Sequence, residues 1–233
     1  MGRRASPVAT GSIDERSVED LLDRTQAEFG WLDFLVNNAA SSRGNDCVPV
    51  IEMPVAEWDR VIGINLRGRF LMSRAFVQRM VANNWPGCII TISSVAGKSL
   101  PPRGGIRCLV YDIQVFAAGM AVEPGPSSVR VNTLYPGFVD TSCMDQPNVS
   151  HEYRVRAAAE RSPLRRMREG DEIGTACAFF CSEQGDWING QAINVNGRLI
   201  RRALMTALWP CSMPCGLIRE ALSALAQIAQ LQT

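Results

Sequence analysis

The sequence predicts an α/β fold with a parallel β-sheet, on two observations. Short segments rich in valine, isoleucine and leucine alternate along the chain with longer segments whose apolar residues recur at helical spacing. This alternation is the order of elements in βαβ units. In addition, the segment at residues 88–94 begins with five residues of which four are apolar, which is typical of a parallel strand covered by helices on both faces.

The first helix and the first strand are expected before residue 40. Ser17 is the expected N-cap of the helix, with Asp20 three residues further on, and Gly30 is expected to end it. Residues 33–39 then predict a buried strand that ends in polar side chains. The apolar stripe of the helix consists of Val18, Leu21, Leu22, Thr25 and Phe29.

The later elements continue the alternation. A long helix is expected over residues 57–83, and Pro86-Gly87 ends it. Strands are expected at residues 88–94, 129–135 and 191–195, and a further helix at residues 171–182. Together these elements predict one α/β domain over residues 14–200. Residues 1–13 show no periodicity and stay unassigned, and residues 201–233 form an extension whose apolar stripe predicts a helix.

Composition restricts the class of protein. With 233 residues, 46% of them hydrophobic, the chain can bury a sizeable core. The formal net charge of +1 gives no reason to expect nucleic acid or a membrane surface as partner. No apolar run is long enough to cross a bilayer, and no signal peptide is recognised. Eight cysteines in a chain of this length indicate reduced thiols, so a cytoplasmic protein is expected.

Metal sites find little support in the sequence. His151 is the only histidine, and a loop position is its simplest interpretation. Cys177 and Cys181, like Cys211 and Cys215, have helical spacing and are interpreted as core thiols. No metal ion is therefore expected.

Five short motifs follow one another along residues 14–197. They are Asn37-Asn38-Ala39-Ala40, Asn65 within residues 64–68, Ser94 within residues 92–97, Pro136-Gly137-Phe138-Val139-Asp140-Thr141, and Val195-Asn196-Gly197. In this order they resemble the short-chain dehydrogenase/reductase family. The resemblance implies an α/β fold with a Rossmann-like, doubly wound parallel sheet and NAD(P)-dependent oxidoreductase activity on a CH–OH or carbonyl group of a small molecule.

The resemblance also implies roles for individual residues. Ser94 would polarise the substrate carbonyl, and Asn65 would hold a water molecule of the proton relay. Simpler alternatives are a strand-end cap for Ser94 and a hydrogen-bonded core residue for Asn65. The implied cofactor, NAD or NADP, would contact the positions Asn37, Ala39, Pro136, Gly137, Val139 and Thr141.

The sequence departs from the family in two places. No Gly-rich turn precedes Leu32, so the first two βα units are expected to be missing, which would leave the strand at residues 33–39 at an edge of an incomplete sheet. The family's Tyr-x-x-x-Lys motif is also missing, because the only lysine, Lys98, precedes Tyr111, and Val115 stands four residues after this tyrosine. Tyr111 is a weak candidate for the proton donor.

Two functional hypotheses stay open. The first is an active oxidoreductase that uses Ser94, Asn65 and a substitute acid. The second is an inactive relic, or a frameshifted or partial product of such an enzyme. One possible set of codons for residues 108–115, read one base later, encodes Ala-Ser-Tyr-Thr-Thr-Ser-Lys. This shifted peptide contains the missing motif. A homo-oligomer formed through the helix at residues 57–83 is the expected partner arrangement.

Overall fold

The fold is a four-stranded parallel sheet with helices on both faces. The computed structural model describes residues 4–41, 48–97, 114–141 and 149–197. In these ranges the sheet has the order β1-β2-β3-β4, and all three strand pairs are parallel. The predicted α/β class with a parallel sheet is confirmed. The strands are β1 (Phe34–Asn37), β2 (Gly87–Ile92), β3 (Val129–Pro136) and β4 (Ala192–Val195).

Six α-helices lie in the described ranges, and none is both long and apolar enough to cross a membrane. The predicted helix over residues 171–182 is found with nearly the predicted bounds. The helices are α1 (Glu15–Phe29), α2 (Val55–Ile62), α3 (Gly68–Asn83), α4 (Gln114–Val122), α5 (His151–Arg161) and α6 (Gly170–Cys181).

Alternate residues of β2 pack into two separate apolar clusters. Ile89 packs with side chains of α1, α3 and α4 on one face of the sheet. Cys88 and Ile90 pack on the other face, where Phe180 of α6 completes the cluster. Successive side chains of a strand point to opposite faces, so an apolar segment is needed to fill both layers. This is why residues 88–90 are apolar in succession and do not alternate with polar residues as in a half-exposed strand.

Helix α1 begins earlier than the sequence predicted. Its N-cap is Asp14, whose carboxylate accepts a hydrogen bond from the backbone N–H of Ser17 at 2.6 Å. The prediction of Ser17 as N-cap was therefore wrong. The Ser17 hydroxyl instead accepts a hydrogen bond from the Gly11 N–H at 2.9 Å. Gly30 ends the helix with φ of +93°, as expected of a residue without a β-carbon.

The long helix predicted over residues 57–83 is present but not uniform. It consists of α2 and α3 joined by the π-helical segment Gly63–Arg67. A π-helical turn adds one residue to the helical repeat, and such turns are frequent at functional sites. Asn65 lies within this segment.

Two sequence expectations at the ends of the fold have different outcomes. Strand β1 pairs only with β2 among the described residues, so it lies at the edge of this sheet, as expected. His151, however, is not a loop residue: it begins α5, whose N-cap Ser150 accepts a hydrogen bond from the Tyr153 N–H. Lys98, Tyr111 and the expected C-terminal helix lie outside the described residues.

Candidate functional site

The predicted site residues follow three neighbouring strands at the same edge of the sheet. Asn37 ends β1, Ser94 comes two residues after β2, and Pro136 ends β3. In open α/β sheets ligands bind at the carboxyl ends of the strands. The parallel pairing of these strands places the three positions along that edge.

Ser94 stands at the start of a short 3-10 turn, Val95–Gly97. Its Oγ accepts a hydrogen bond from the Ala96 N–H at 3.1 Å, and its side chain is half-buried. The structure therefore shows the cap contact that the simpler interpretation requires. A serine hydroxyl can accept and donate at the same time. The cap is consequently compatible with a hydrogen bond from Ser94 to a carbonyl oxygen.

Asn65 is completely buried and holds the chain after β1. Its Oδ1 accepts a hydrogen bond from the backbone N–H of Ser41 at 2.7 Å, and its Nδ2 donates to the Ser41 Oγ at 3.1 Å. These two bonds join the π-helical segment to the polar turn that ends β1. Sequence reasoning selected Asn65 but missed Ser41.

Asn37 and Ala39, the two predicted cofactor positions at the end of β1, have different surroundings. The Asn37 side chain is buried and its Nδ2 donates to the Ser73 Oγ at 3.0 Å. Asn38 closes the turn, because its N–H donates to the Val36 carbonyl. Ala39 is exposed. Asn37 thus positions the turn, whereas Ala39 offers surface that a ligand could contact.

The loop after β3 is held against β4. The N–H of Gly137 donates to the Val195 carbonyl at 3.2 Å. A β-carbon at position 137 would lie 3.0 Å from the Asn196 Cα, a tighter contact than backbone atoms accept without a shift. Glycine therefore allows the close approach of this loop to Asn196, and Pro136 beside it is buried.

The end of this loop pairs with a second segment. Val139 forms a parallel bridge with Arg168, and the N–H of Asp140 donates to the Arg168 carbonyl at 2.8 Å. Val139 is half-buried and Thr141 is exposed. These two residues keep accessible surface, so they are the loop positions that a ligand could contact.

His151 and Asp140 form a pair that the sequence did not predict. The His151 Nε2 lies 2.6 Å from the Asp140 Oδ2, and both side chains are partly exposed. The pair joins the start of α5 to the loop after β3. This contact fixes the start of α5 beside the loop that contains the predicted cofactor positions Val139 and Thr141. The presence of a single histidine in the sequence could have drawn attention to this position. Its partner, Asp140, could not be identified from the sequence.

A charged cluster supports the segment that pairs with this loop. The Arg166 guanidinium binds both oxygens of Glu172, at 2.7 and 2.5 Å, and Arg168 donates to Glu172 Oε1 at 3.1 Å. The hydrogen bond from Arg166 is the main reason why the pKa of Glu172 is lowered, from 4.5 to about 2; a further one comes from the Glu169 N–H.

Acidification is expected to destabilise the wild-type protein more than Glu172→Gln between pH 4.5 and about 2. The lowered pKa in the folded state means that the ionised carboxylate stabilises the fold above pH 4.5, and that this stabilisation is lost as the pH falls through about 2. Urea unfolding at several pH values measures the difference. Glu183→Gln is the matched control, and equal pH profiles for the wild type and Glu172→Gln would contradict the prediction.

Comparison with known proteins identifies the family of this chain. A family model described as enoyl-(acyl carrier protein) reductase matches residues 5–197. A 3-oxoacyl-(acyl-carrier-protein) reductase of Aquifex aeolicus (strain VF5) is 30% identical over 201 residues, which cover 84% of this chain and 77% of that protein. A cis-4-hydroxycyclohexanecarboxylate dehydrogenase of Sinomonas cyclohexanicum is 33% identical over 197 residues, with 84% and 77% covered.

Solved structures share the fold. A short-chain type dehydrogenase/reductase from Mycobacterium ulcerans superposes with a TM-score of 0.74 at 25% identity, over 82% of this chain and 68% of that one. A structure of ElxO with NADP bound superposes with a TM-score of 0.73 at 22% identity, over 81% and 75% of the two chains. Since the family model spans most of the sequence, this chain belongs to the short-chain dehydrogenase/reductase family of oxidoreductases.

Proposed function

We propose that this protein is an NAD(P)-dependent oxidoreductase that acts on a CH–OH or carbonyl group of a small molecule. The observation that carries the proposal is the convergence of Ser94, the Asn37–Ala39 turn and the loop after β3 at the carboxyl edge of the sheet. Hydride transfer requires a donor held against the carbonyl carbon and a polar group at the carbonyl oxygen. Ser94 is the described residue that suits the second task.

The residues at this edge fit a nucleotide cofactor in part. Ala39, Val139 and Thr141 have accessible surface, so they would contact the cofactor directly. Asn37 and Gly137 would act indirectly, because the Asn37 amide is bonded to Ser73 and Gly137 packs on Asn196. When bound, NAD or NADP would supply or accept the hydride.

A second candidate is an inactive relic of such an enzyme. It is favoured by the sequence, in which the only lysine precedes Tyr111 and no Tyr-x-x-x-Lys motif occurs. Without that pair, another group must donate the proton. The relic is expected to show no saturable cofactor binding, which separates the two candidates.

Titration of the wild-type protein with NADH and with NADPH is expected to give a saturable change in nicotinamide fluorescence. Ser94→Ala is expected to lower kcat/KM by roughly 10²-fold and to leave the cofactor Kd within about two-fold of the wild-type value. The reason is that the hydroxyl would act on the substrate oxygen rather than on the cofactor. Ser182→Ala, which removes a hydroxyl bonded to the Phe179 carbonyl on another element, is the matched control. Absence of saturation with both nucleotides would favour the relic.

Three further assignments belong to this proposal. Residues 14–200 would form the oxidoreductase domain, and the cytoplasm would be its location. A homo-oligomer would form through the α2–α3 helix. Three exposed apolar side chains on that helix support this interface, each between 38% and 39% accessible: Trp58, Leu66 and Phe70.

A further inference from the structure

The apolar cluster on the α6 face of the sheet contains three free thiols. Cys88 of β2 is fully buried in it, and Cys177 and Cys181 pack against it half-buried, one helical turn apart on α6. Nowhere in the described part of the chain do three ligating side chains converge so that they could hold a metal ion. The chemistry that this cluster offers is therefore a reaction between two thiols.

Cys88 and Cys181 are in contact where β2 meets the end of α6. The Cys88 Sγ donates a hydrogen bond to the Phe180 carbonyl at 3.5 Å. This carbonyl belongs to the peptide bond between Phe180 and Cys181, so the Cys88 sulfur lies against the backbone of Cys181. Of the two thiols on α6, Cys181 is the one that is hydrogen-bonded to the Cys88 thiol. The pair Cys88–Cys181 is thus closer to the arrangement of a disulfide than Cys88–Cys177.

We propose that Cys88 and Cys181 form a disulfide when the protein meets hydrogen peroxide, and that this bond fastens the C-terminal end of α6 to β2. Cys181 reacts first, since it is half-buried, whereas Cys88 is enclosed and 1% accessible. The Cys181 thiolate attacks one peroxide oxygen, the O–O bond breaks, and the departing hydroxide becomes water by taking up the thiol proton. The product at Cys181 is a sulfenic acid.

The second step joins the two residues. The Cys88 thiolate attacks the sulfur of the sulfenic acid, the S–S bond forms as the S–O bond breaks, and hydroxide leaves as water with the Cys88 proton. In sum, two thiols lose two electrons and two protons, and one hydrogen peroxide is reduced to two water molecules. The contact between Cys88 and Cys181 makes this step intramolecular, which favours it over attack by a thiol from solution.

Burial makes the reaction slow at neutral pH. It is the main reason why the pKa of the Cys88 thiol is raised, from 9.0 to about 12, and it also raises the pKa of Cys181 and of Cys177. Arg130 of β3 opposes this effect at Cys88 and Cys181, whereas Asp186 adds to it at Cys88. Because the thiolate is the reactive form, both steps become faster as the pH rises.

The disulfide would act on the helix that supports the loop after β3. Glu172 of α6 binds the Arg168 side chain, and the Arg168 backbone pairs with Val139. A bond between residues 88 and 181 closes a loop of roughly 90 residues, and long cross-linked loops restrict the unfolded chain most. The oxidised protein is thus expected to hold α6, and with it this support, more firmly than the reduced protein.

Treatment of the full chain with hydrogen peroxide is expected to give a Cys88–Cys181 linked peptide as the main disulfide, at least ten-fold faster at pH 9 than at pH 7. Mass spectrometry after thiol blocking identifies the link, and cleavage by chymotrypsin at Phe179 and Phe180 separates Cys177 from Cys181. Cys181→Ser is expected to abolish the link. Cys177→Ser, on the same helix, is the matched control and is expected to leave the yield unchanged.

Unfolding in urea tests the effect on the fold. The midpoint of the oxidised chain is expected to lie roughly 1 M above that of the reduced chain, and dithiothreitol is expected to reverse the difference. Cys177→Ser is expected to show the same shift and Cys181→Ser none, with circular dichroism verifying that both variants fold. Oxidation of Cys181 without a link to Cys88, a predominant Cys88–Cys177 link, or an equal yield of the link from the chain in urea would overturn the proposal.

Discussion

Replacement of Asn65 by leucine is expected to lower the free energy of unfolding by about 2–4 kcal/mol, because it would leave two buried groups without their partner. Leucine fills a similar volume but cannot accept from the Ser41 N–H or donate to the Ser41 Oγ, both of which Asn65 satisfies at 2.7 and 3.1 Å. Urea unfolding followed by circular dichroism measures the loss. The loosened turn after β1 is also expected to weaken cofactor binding.

Two further variants serve as comparisons for the Asn65→Leu prediction. Asn83→Leu removes an exposed asparagine of the same helix, one that bonds only the Arg79 carbonyl in a local contact, and is expected to cost well under 1 kcal/mol. Asn65→Asp keeps an acceptor for the Ser41 N–H and is expected to lie between the wild type and the leucine variant. A leucine variant as stable as Asn83→Leu would show that the Ser41 contacts do not hold the turn.

Truncation of Phe76 to alanine is expected to cost about 3–5 kcal/mol, since it removes a fully buried ring from the main core. Phe76 is 1% accessible and packs where α3 meets the start of β2. A β-carbon built at Gly87 would lie 3.1 Å from its ring, so the backbone of β2 approaches the phenyl group closely and little can move in to fill the cavity. The urea midpoint is expected to fall with little change in the m-value.

Phe179→Ala is the matched control for this measurement. Phe179 lies on α6 and is 45% accessible, although its ring contacts Phe180 edge to face. We expect a loss of about 1 kcal/mol from that aromatic contact and the small buried area. If the two substitutions proved equally costly, the core around α1, α3 and β2 would not be the main source of stability.

The sheet could be predicted from the sequence because segments rich in valine, isoleucine and leucine alternate with segments of helical period. Residues 88–94 and 129–135 predicted β2 and β3 within two residues at each end. The start of α1 was misplaced because serine and aspartate both cap helices well, so residue type alone does not distinguish Ser17 from Asp14 three residues earlier. Only the three-dimensional contacts show that Asp14 bonds Ser17, whereas Ser17 bonds Gly11.

In the candidate site, only the residues that lie within family-like motifs could be predicted. Ser94 and Asn65 were selected by resemblance, but their hydrogen-bond partners, Ala96 and Ser41, could not be predicted in this way. Ser41 follows the strand by four residues, in a segment without any periodicity that would bring it to a helix. The π-helical segment was also invisible, because one added residue scarcely disturbs the apolar period of a long helix. Likewise, the contact between His151 and Asp140 depends on α5, a helix that was not predicted from the sequence.

The attachment of the loop after β3 has a thermodynamic consequence for ligand binding. Its backbone N–H groups at Gly137 and Asp140 are already bonded, to β4 and to Arg168 respectively. A ligand at Val139 and Thr141 would therefore meet a main chain that loses little conformational entropy when it binds. Selectivity between substrates would accordingly depend on the side chains of this preorganised loop and of α5. It would not depend on a folding transition of the loop.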